Sequence, residues 1–161
     1  MALIVRPAEV GAAEAIARLG NELNRHEGRP TGQLTAASIR RDGFGPDPAF
    51  EVLLAEQDGE AVGYALYHPA YEAGFAARGF YLVDLFVGQR WRRRGVGRRL
   101  LARLAAEAKA RGLGYLWWAS RPGNADAHAF YRKLGATPHA VVAHALTFNA
   151  FEALAAEGRE D

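Results

Sequence analysis

The residues most able to bind a charged ligand lie at 90–99, where the sequence reads Arg-Trp-Arg-Arg-Arg-Gly-Val-Gly-Arg-Arg. An apolar run at 81–87 precedes them and an amphipathic run at 100–110 follows, a pattern typical of strand, glycine turn and helix. The first N–H groups of a helix have no partner within it, and the helix dipole adds partial positive charge there. The turn therefore predicts an anion site, such as a cradle for a diphosphate.

Two glycines, Gly95 and Gly97, open the predicted helix and permit close approach of backbone to ligand. A dinucleotide-binding Gly-x-Gly-x-x-Gly turn is excluded because residue 100 is leucine and the next strand ends without an acidic residue. A Walker-type phosphate loop is excluded because Gly-Lys-Ser/Thr is missing. A solvated basic helix face would account for Arg99 and Arg103, but it would not account for the glycines.

The charge of the chain is nearly balanced, with 20 basic and 18 acidic residues and a formal net charge of +2. This value is too small to require nucleic acid or a membrane as partner. The positive charge is instead local, because no acidic residue lies between Asp84 and Glu107 while seven arginines do. Such a distribution favours a compact polyanion as the ligand.

Length and composition limit the class of protein further. A chain of 161 residues fits one domain, predicted to span 1–161, with a full core. The absence of cysteine excludes disulfides and a cysteine acyl-enzyme, and the five histidines lack metal-ligand spacing, so no metal is expected. No apolar run approaches the roughly 20 residues of a membrane span, and no secretory leader is recognisable, so we expect a cytoplasmic protein.

Apolar periodicity and turn residues predict the elements that position this turn. Strands are expected at 2–6, 50–56, 61–68, 79–87, 115–119 and 141–148, and helices at 10–25, 35–41, 97–110, 124–134 and 148–156. The stretches 42–48 and 69–78 are predicted to be irregular, and nearly continuous apolarity predicts that 79–87 is covered on both faces. Together these elements predict one α/β domain with a mixed, mostly antiparallel central sheet flanked by helices.

Several motif positions occur in the order and spacing of one superfamily. The stretch 79–136 resembles the GNAT acyltransferases, in which a glycine turn binds the diphosphate of an acyl-CoA. The matching positions are Arg92-x-x-Gly95-x-Gly97 in the turn, Asn124 after the next strand, and Phe130-Tyr131 before Gly135 at the end of the following helix. The resemblance implies the GNAT fold and acetyl-CoA as the acyl donor.

The resemblance also implies roles for particular residues toward that donor. The backbone of Leu85, Phe86 and Val87 would align the pantetheine arm, and Asn124 would orient CoA. The diphosphate would be held by the turn residues Arg92, Arg93, Arg94, Gly95, Val96, Gly97 and Arg98. Tyr131 would supply a proton or hydrogen bond to the leaving thiolate, because a tyrosine hydroxyl is protonated at neutral pH. Its alternative role is that of a packing aromatic.

The segments 42–45, 62–67 and 81–87 are similar to one branch, the diamine (spermidine/spermine and thialysine) N-acetyltransferases. This similarity places Glu27 and Asp84 beside the acceptor amine, with Asp84 as a candidate base. The alternatives are a structural acid bonded to backbone N–H groups for Asp84 and a surface acid for Glu27. Val83 stands where the branch carries a glutamate, so we expect small or singly charged amines rather than long polyamines.

These inferences predict direct acetyl transfer from acetyl-CoA to a primary amine of a small molecule in a ternary complex. Family resemblance further implies a homodimer joined by its terminal strands. One alternative is acetylation of a protein N-terminus or lysine, which the segments 26–34 and 69–78 would decide. The other is a non-enzymatic basic module that binds nucleic acid or an acidic partner.

Overall fold

The computed structural model describes residues 2–159. The chain divides into two compact units between Gly123 and Asn124. The first unit contains β1 Ile4–Pro7, α1 Ala13–His26, α2 Ala36–Phe44, β2 Glu51–Gln57, β3 Glu60–Glu72, β4 Ala77–Val87, α3 Val96–Ala110 and β5 Tyr115–Trp117. The second contains α4 Ala125–Lys133 and α5 Phe148–Glu157. None of the helices within 2–159 is long and apolar enough to cross a membrane.

The five strands form one sheet in the order β1-β2-β3-β4-β5. Neighbouring strands are antiparallel except β4 and β5, which are parallel. The prediction of a mixed, mostly antiparallel sheet flanked by helices is therefore confirmed. The β2–β3 hairpin turns at Asp58-Gly59, where the φ values of 55° and 81° suit the two-residue turn that this dipeptide favours.

The core of the first unit lies on both faces of the sheet. On one face, Ile16 of α1 and Ile39 of α2 are buried in one cluster with Leu54, Tyr64 and Phe86 of the sheet. Alternation along the strands directs other side chains, such as the fully buried Leu53 and Ala65, to the opposite face. Helix α3 contacts strands β1–β5 and buries Leu100 and Leu104 completely.

Strand β4 contains one extra residue, Val83. Leu66 of β3 pairs with Asp84, whereas the next residue, Tyr67, pairs with Leu82, so Val83 forms a β-bulge. Leu82 shares the face of Tyr67, but Asp84 shares the face of Leu66, which belongs to the α1 and α2 cluster. The bulge therefore moves Asp84 to the α1 and α2 face, which regular alternation from Leu82 would not do.

Four features differ from those predicted from the sequence. The stretch 69–78 is ordered, because β3 runs to Glu72 and β4 begins at Ala77. Helix α2 continues to Phe44, into the predicted 42–48 loop. Residues 137–147 form no strand, because a strand also needs a partner that apolar residues alone do not specify. Coverage of β4 on both faces fails at the bulge, where Val83 is 46% exposed.

Candidate functional site

The predicted anion turn is built as a helix opening without a side-chain cap. Gly95 adopts φ 79° and ψ 0° before α3, and none of the described side chains caps this end. A Cβ on Gly95 would meet nothing within 4 Å, so the left-handed backbone rather than crowding selects glycine. The first bond within the helix runs from the Arg99 N–H to the Gly95 carbonyl at 3.0 Å, which leaves the preceding N–H groups for an anion.

The arginines of the turn divide into two groups. The Nε of Arg92 donates to the carbonyl of Val87 at 3.0 Å, and its guanidinium lies 5.5 Å from the centre of the Phe86 ring. Arg92 thus fastens the turn to the end of β4. Arg93, Arg94 and Arg98 are exposed, with the Arg94 guanidinium over the Trp91 ring at 5.3 Å. These three side chains add positive charge at the turn.

The C-terminal part of β4 leads from the bulge at Val83 to this turn. Strand β5 pairs only with the three residues Gly79, Phe80 and Tyr81 of β4. From Leu82 to Val87, β4 therefore has no β5 partner among the described residues, and on that side the Val87 carbonyl accepts instead from the Arg92 side chain. This stretch includes Leu85, Phe86 and Val87, which sequence resemblance assigned to the pantetheine arm.

Asp84 is partly buried and is bonded to a fully buried tyrosine. The Tyr64 hydroxyl donates to Oδ2 of Asp84 at 2.8 Å. Burial raises the pKa of Asp84 above its usual range, whereas the Tyr64 hydrogen bond and the charge of Arg29 oppose this rise, and the charge of Glu27 adds to it. Burial and the Asp84 charge also raise the pKa of Tyr64, which keeps its hydroxyl protonated. The carboxylate is therefore held by a side chain, and it binds a proton more readily than an ordinary aspartate.

Glu27 follows the end of α1 and forms an ion pair with Arg29, whose guanidinium contacts the Glu27 carboxylate through Nη2. The loop that carries Arg29 is fastened to α1. The Arg29 N–H donates to the Asn24 carbonyl at 2.8 Å, and the side chain of Asn21 accepts from the Gly32 N–H at 2.8 Å. Leu23 of α1 lies in the same buried cluster as Tyr64, and the Glu27 N–H donates to the Leu23 carbonyl at 3.0 Å. Glu27 and its partner Arg29 therefore lie on the same side of the sheet as Tyr64 and Asp84.

Sequence reasoning missed two members of this group. The position of Tyr64 near Asp84 follows only from the register of β3 and β4. In that register Tyr64 pairs with Phe86, which is two residues after Asp84 in the sequence. Arg29 lies in a glycine- and proline-containing loop, which carries no periodicity from which its position could be inferred. Among residues 2–159 there is also no group of three or more side chains able to hold a metal ion.

The remaining predicted residues belong to the second unit. Asn124 is the N-cap of α4, and its Oδ1 accepts from the Ala127 N–H at 3.1 Å. Tyr131 lies within α4, with its ring centre 5.4 Å from that of Phe130. Gly135, at φ 86°, ends this helix as predicted. The assignments of Asn124 to CoA and of Tyr131 to the thiolate stay predictions.

Comparison with known proteins is consistent with this architecture. The chain is 32% identical over 143 residues to a thialysine N-epsilon-acetyltransferase from Bos taurus, covering 83% of this chain and 84% of that protein. It is 34% identical over 96 residues to an L-ornithine N5-acetyltransferase from Arabidopsis thaliana, covering 60% of this chain but only 39% of that protein. An integron cassette protein from V. cholerae has the same fold, with a TM-score of 0.83, 23% identity and coverage of 96% and 98% of the two chains. Residues 17–136 match the model of the acetyltransferase (GNAT) family, to which the chain therefore belongs.

Proposed function

We propose that this chain is an acetyl-CoA-dependent N-acetyltransferase that modifies a primary amine of a small molecule by direct attack in a ternary complex. One observation carries the proposal. The partly paired strand β4 bears a carboxylate with a raised pKa at Asp84, and the turn at 88–95 leads from the end of this strand to an uncapped helix N-terminus. An acid able to accept a proton and a site able to hold a diphosphate thus lie on one continuous segment of chain.

The residues around this segment suit acetyl-CoA as the donor. The N–H groups before Arg99, together with Arg93, Arg94 and Arg98, would hold its diphosphate, and the backbone of 85–87 would bind the pantetheine arm. Acetyl-CoA supplies an acetyl thioester, whose carbonyl carbon bonds to the amine nitrogen while its carbon–sulfur bond breaks. We further propose that Asn124 orients the CoA and that Tyr131 gives a proton to the departing thiolate.

Asp84 serves as the base in this proposal. A primary amine is a cation at neutral pH and must lose a proton before its nitrogen can attack. A carboxylate whose pKa is raised by burial attracts the cation and accepts that proton more readily than an ordinary aspartate. The Tyr64 hydroxyl fixes the orientation of the carboxylate through its 2.8 Å hydrogen bond.

The acceptor in this proposal is small and carries a single net positive charge. Val83 adds no charge at the bulge, and Arg29 offsets the charge of Glu27. The printed names of two relatives, which refer to L-ornithine and thialysine, support an amine as the acceptor. A spermine kcat/KM well above that of every monoamine and diamine would contradict this selectivity.

A homodimer is the proposed assembly, and the cytoplasm is the proposed location because the reaction consumes acetyl-CoA. Large apolar side chains of the second unit are exposed and would be covered by a second copy: Val141, Val142, Leu146, Phe148, Phe151 and Leu154. Sedimentation at micromolar concentration should give a dimer, and a monomer there would contradict the proposed assembly.

The decisive experiment measures release of free thiol from acetyl-CoA over a panel of amines, a lysine peptide and an N-terminal peptide. We expect release that depends on a small amine, and loss of at least a hundredfold in kcat for Asp84→Asn with acetyl-CoA binding retained. The matched control is Asp47→Asn, an exposed aspartate in the loop before β2. Binding of CoA without thiol release for any acceptor would contradict the proposed activity. A steep salt-dependent affinity for many oligonucleotides would favour a nucleic-acid module instead.

A further inference from the structure

An ion pair lies beside the proposed base, where a site for polyamines would be expected to carry acids alone. Glu27 and Arg29 are bonded to each other, and 28% of the Glu27 side chain and 43% of the Arg29 side chain remain exposed. Both groups are therefore accessible to a ligand, and they lie on the same side of the sheet as Asp84 and its partner Tyr64.

The charges of this region add up to a single negative charge when both acids are ionised. Asp84 and Glu27 each carry one negative charge and Arg29 carries one positive charge, which leaves −1. A polyamine would bring two or more positive charges, of which only one is matched, and it would bring one of them toward Arg29. Like-charge proximity of this kind disfavours binding.

The arginine retains donors for an additional partner. Its contact with Glu27 uses Nη2, while a guanidinium has five N–H donors in a planar fork that matches a carboxylate. The loop holding Arg29 is fixed in advance because its Arg29 and Gly32 N–H groups donate to Asn24 and Asn21, so little ordering remains when a ligand binds.

We propose that Arg29 is a specificity-determining residue that binds a carboxylate of the acceptor. The acceptor is then an amino-acid-like molecule: its carboxylate contacts Arg29, its second ammonium contacts Glu27, and the reacting amine faces Asp84. A zwitterionic head group is complementary to the Glu27–Arg29 pair and leaves one net positive charge for Asp84. This inference rests on the proposed acetyltransferase function.

The test compares amines that differ only by a carboxylate: L-ornithine with putrescine, and L-lysine with cadaverine. Thiol release with acetyl-CoA gives kcat/KM for each, and we expect the wild-type protein to favour the carboxylate-bearing member of both pairs. Arg29→Gln should lower that ratio about tenfold, the low end for a charge-assisted hydrogen bond at a partly exposed site, through a higher KM for the amino acid. Arg29→Lys should retain part of the preference, because it keeps the charge and loses the fork.

Arg25→Gln is the matched control, since Arg25 is an exposed arginine in the last turn of α1. It should leave the ratio unchanged, and calorimetry should give the same acetyl-CoA affinity for all variants if they fold alike. A wild-type preference for the diamines, or a ratio that Arg29→Gln does not alter, would overturn the role of Arg29 alone. Absence of thiol release with every amine would overturn the acetyltransferase proposal and this inference together.

Discussion

Replacing Tyr64 by phenylalanine removes one hydroxyl from a fully buried ring and tests how Asp84 is tuned. The wild-type hydroxyl donates to Asp84 at 2.8 Å. Burial raises the pKa of Asp84, and this hydrogen bond is the largest effect that opposes the rise. Tyr64→Phe keeps the burial and loses the bond, so the pKa of Asp84 should rise further.

The size of the change follows from the hydrogen bond. A bond to a charged group contributes about 1.5–3 kcal/mol, and one pKa unit corresponds to about 1.4 kcal/mol. Because Asp84 must be ionised to accept a proton, kcat/KM falls as the pH drops through its pKa. We therefore expect the acidic limb of the pH profile to move upward by about one pH unit or more in Tyr64→Phe.

The assay is thiol release from acetyl-CoA across the pH range, with Tyr71→Phe as the control because Tyr71 is 63% exposed. An acidic limb that stays in place, or moves to lower pH, would refute the reasoning. An equal loss of kcat/KM at every pH would also refute it, because Tyr64 would then be a packing residue.

The stability of the protein offers a second check. A raised pKa means that the folded state holds the proton more tightly than the unfolded chain, so stability falls as the pH rises through this titration. Tyr64→Phe should thus destabilise the protein more at neutral than at acidic pH.

Three further predictions concern the helix ends and the second unit. Gly95→Ala should lower the free energy of unfolding by about 1 kcal/mol and weaken CoA binding in calorimetry, whereas Gly112→Ala, at a similar φ of 73°, should cost the same stability and leave CoA affinity unchanged. Arg111→Gln should cost about 1 kcal/mol in denaturant unfolding at neutral pH, after allowance for exposure, because it removes two 2.7 Å bonds to Glu51. The pKa of Glu51 is lowered mainly by its hydrogen bonds from Arg111, so that cost should disappear as the pH falls through the carboxylate range, and a cost independent of pH would contradict it. Tyr131→Phe should lower kcat at least tenfold with little change in KM, and unchanged turnover would remove Tyr131 from the mechanism.

The features that could be predicted from sequence are those fixed by a few adjacent residues. Thr35, a residue type that favours helix N-caps, begins the predicted helix at 35–41 and forms a reciprocal capping box with Ser38. The Asp58-Gly59 turn and the helix end at Gly112 follow in the same way, from dipeptides whose backbone conformations few other residues adopt. Such signals are local, so tertiary contacts did not need to be known.

The error at 69–78 has a specific physical cause. Pro69 lies within β3, where a proline argues against a strand because it cannot donate a ladder hydrogen bond. Pairing of β3 with β2 ends at Tyr67, however, so beyond that point β3 has a neighbour only in β4. At Pro69 the strand is therefore an edge strand, in which the missing N–H costs little. That fact depends on the lengths of the neighbouring strands, which the local pattern does not contain.

The site itself depends on Val83 in a way that comparing side chains cannot indicate. In the sequence, Val83 stands where the similar branch carries a glutamate, so it is recognised there only as a change of charge. In the fold, the residue is the extra one that places Asp84 opposite Leu66 and within reach of Tyr64. A different side chain at this half-exposed position would alter the charge and leave the register intact. Removal of the residue would instead return Asp84 to the face of Phe80 and Leu82, where the carboxylate would lose its Tyr64 partner. The presence of residue 83 therefore determines whether Asp84 can serve as the proposed base, and its side chain can influence only which amine reaches the proposed site.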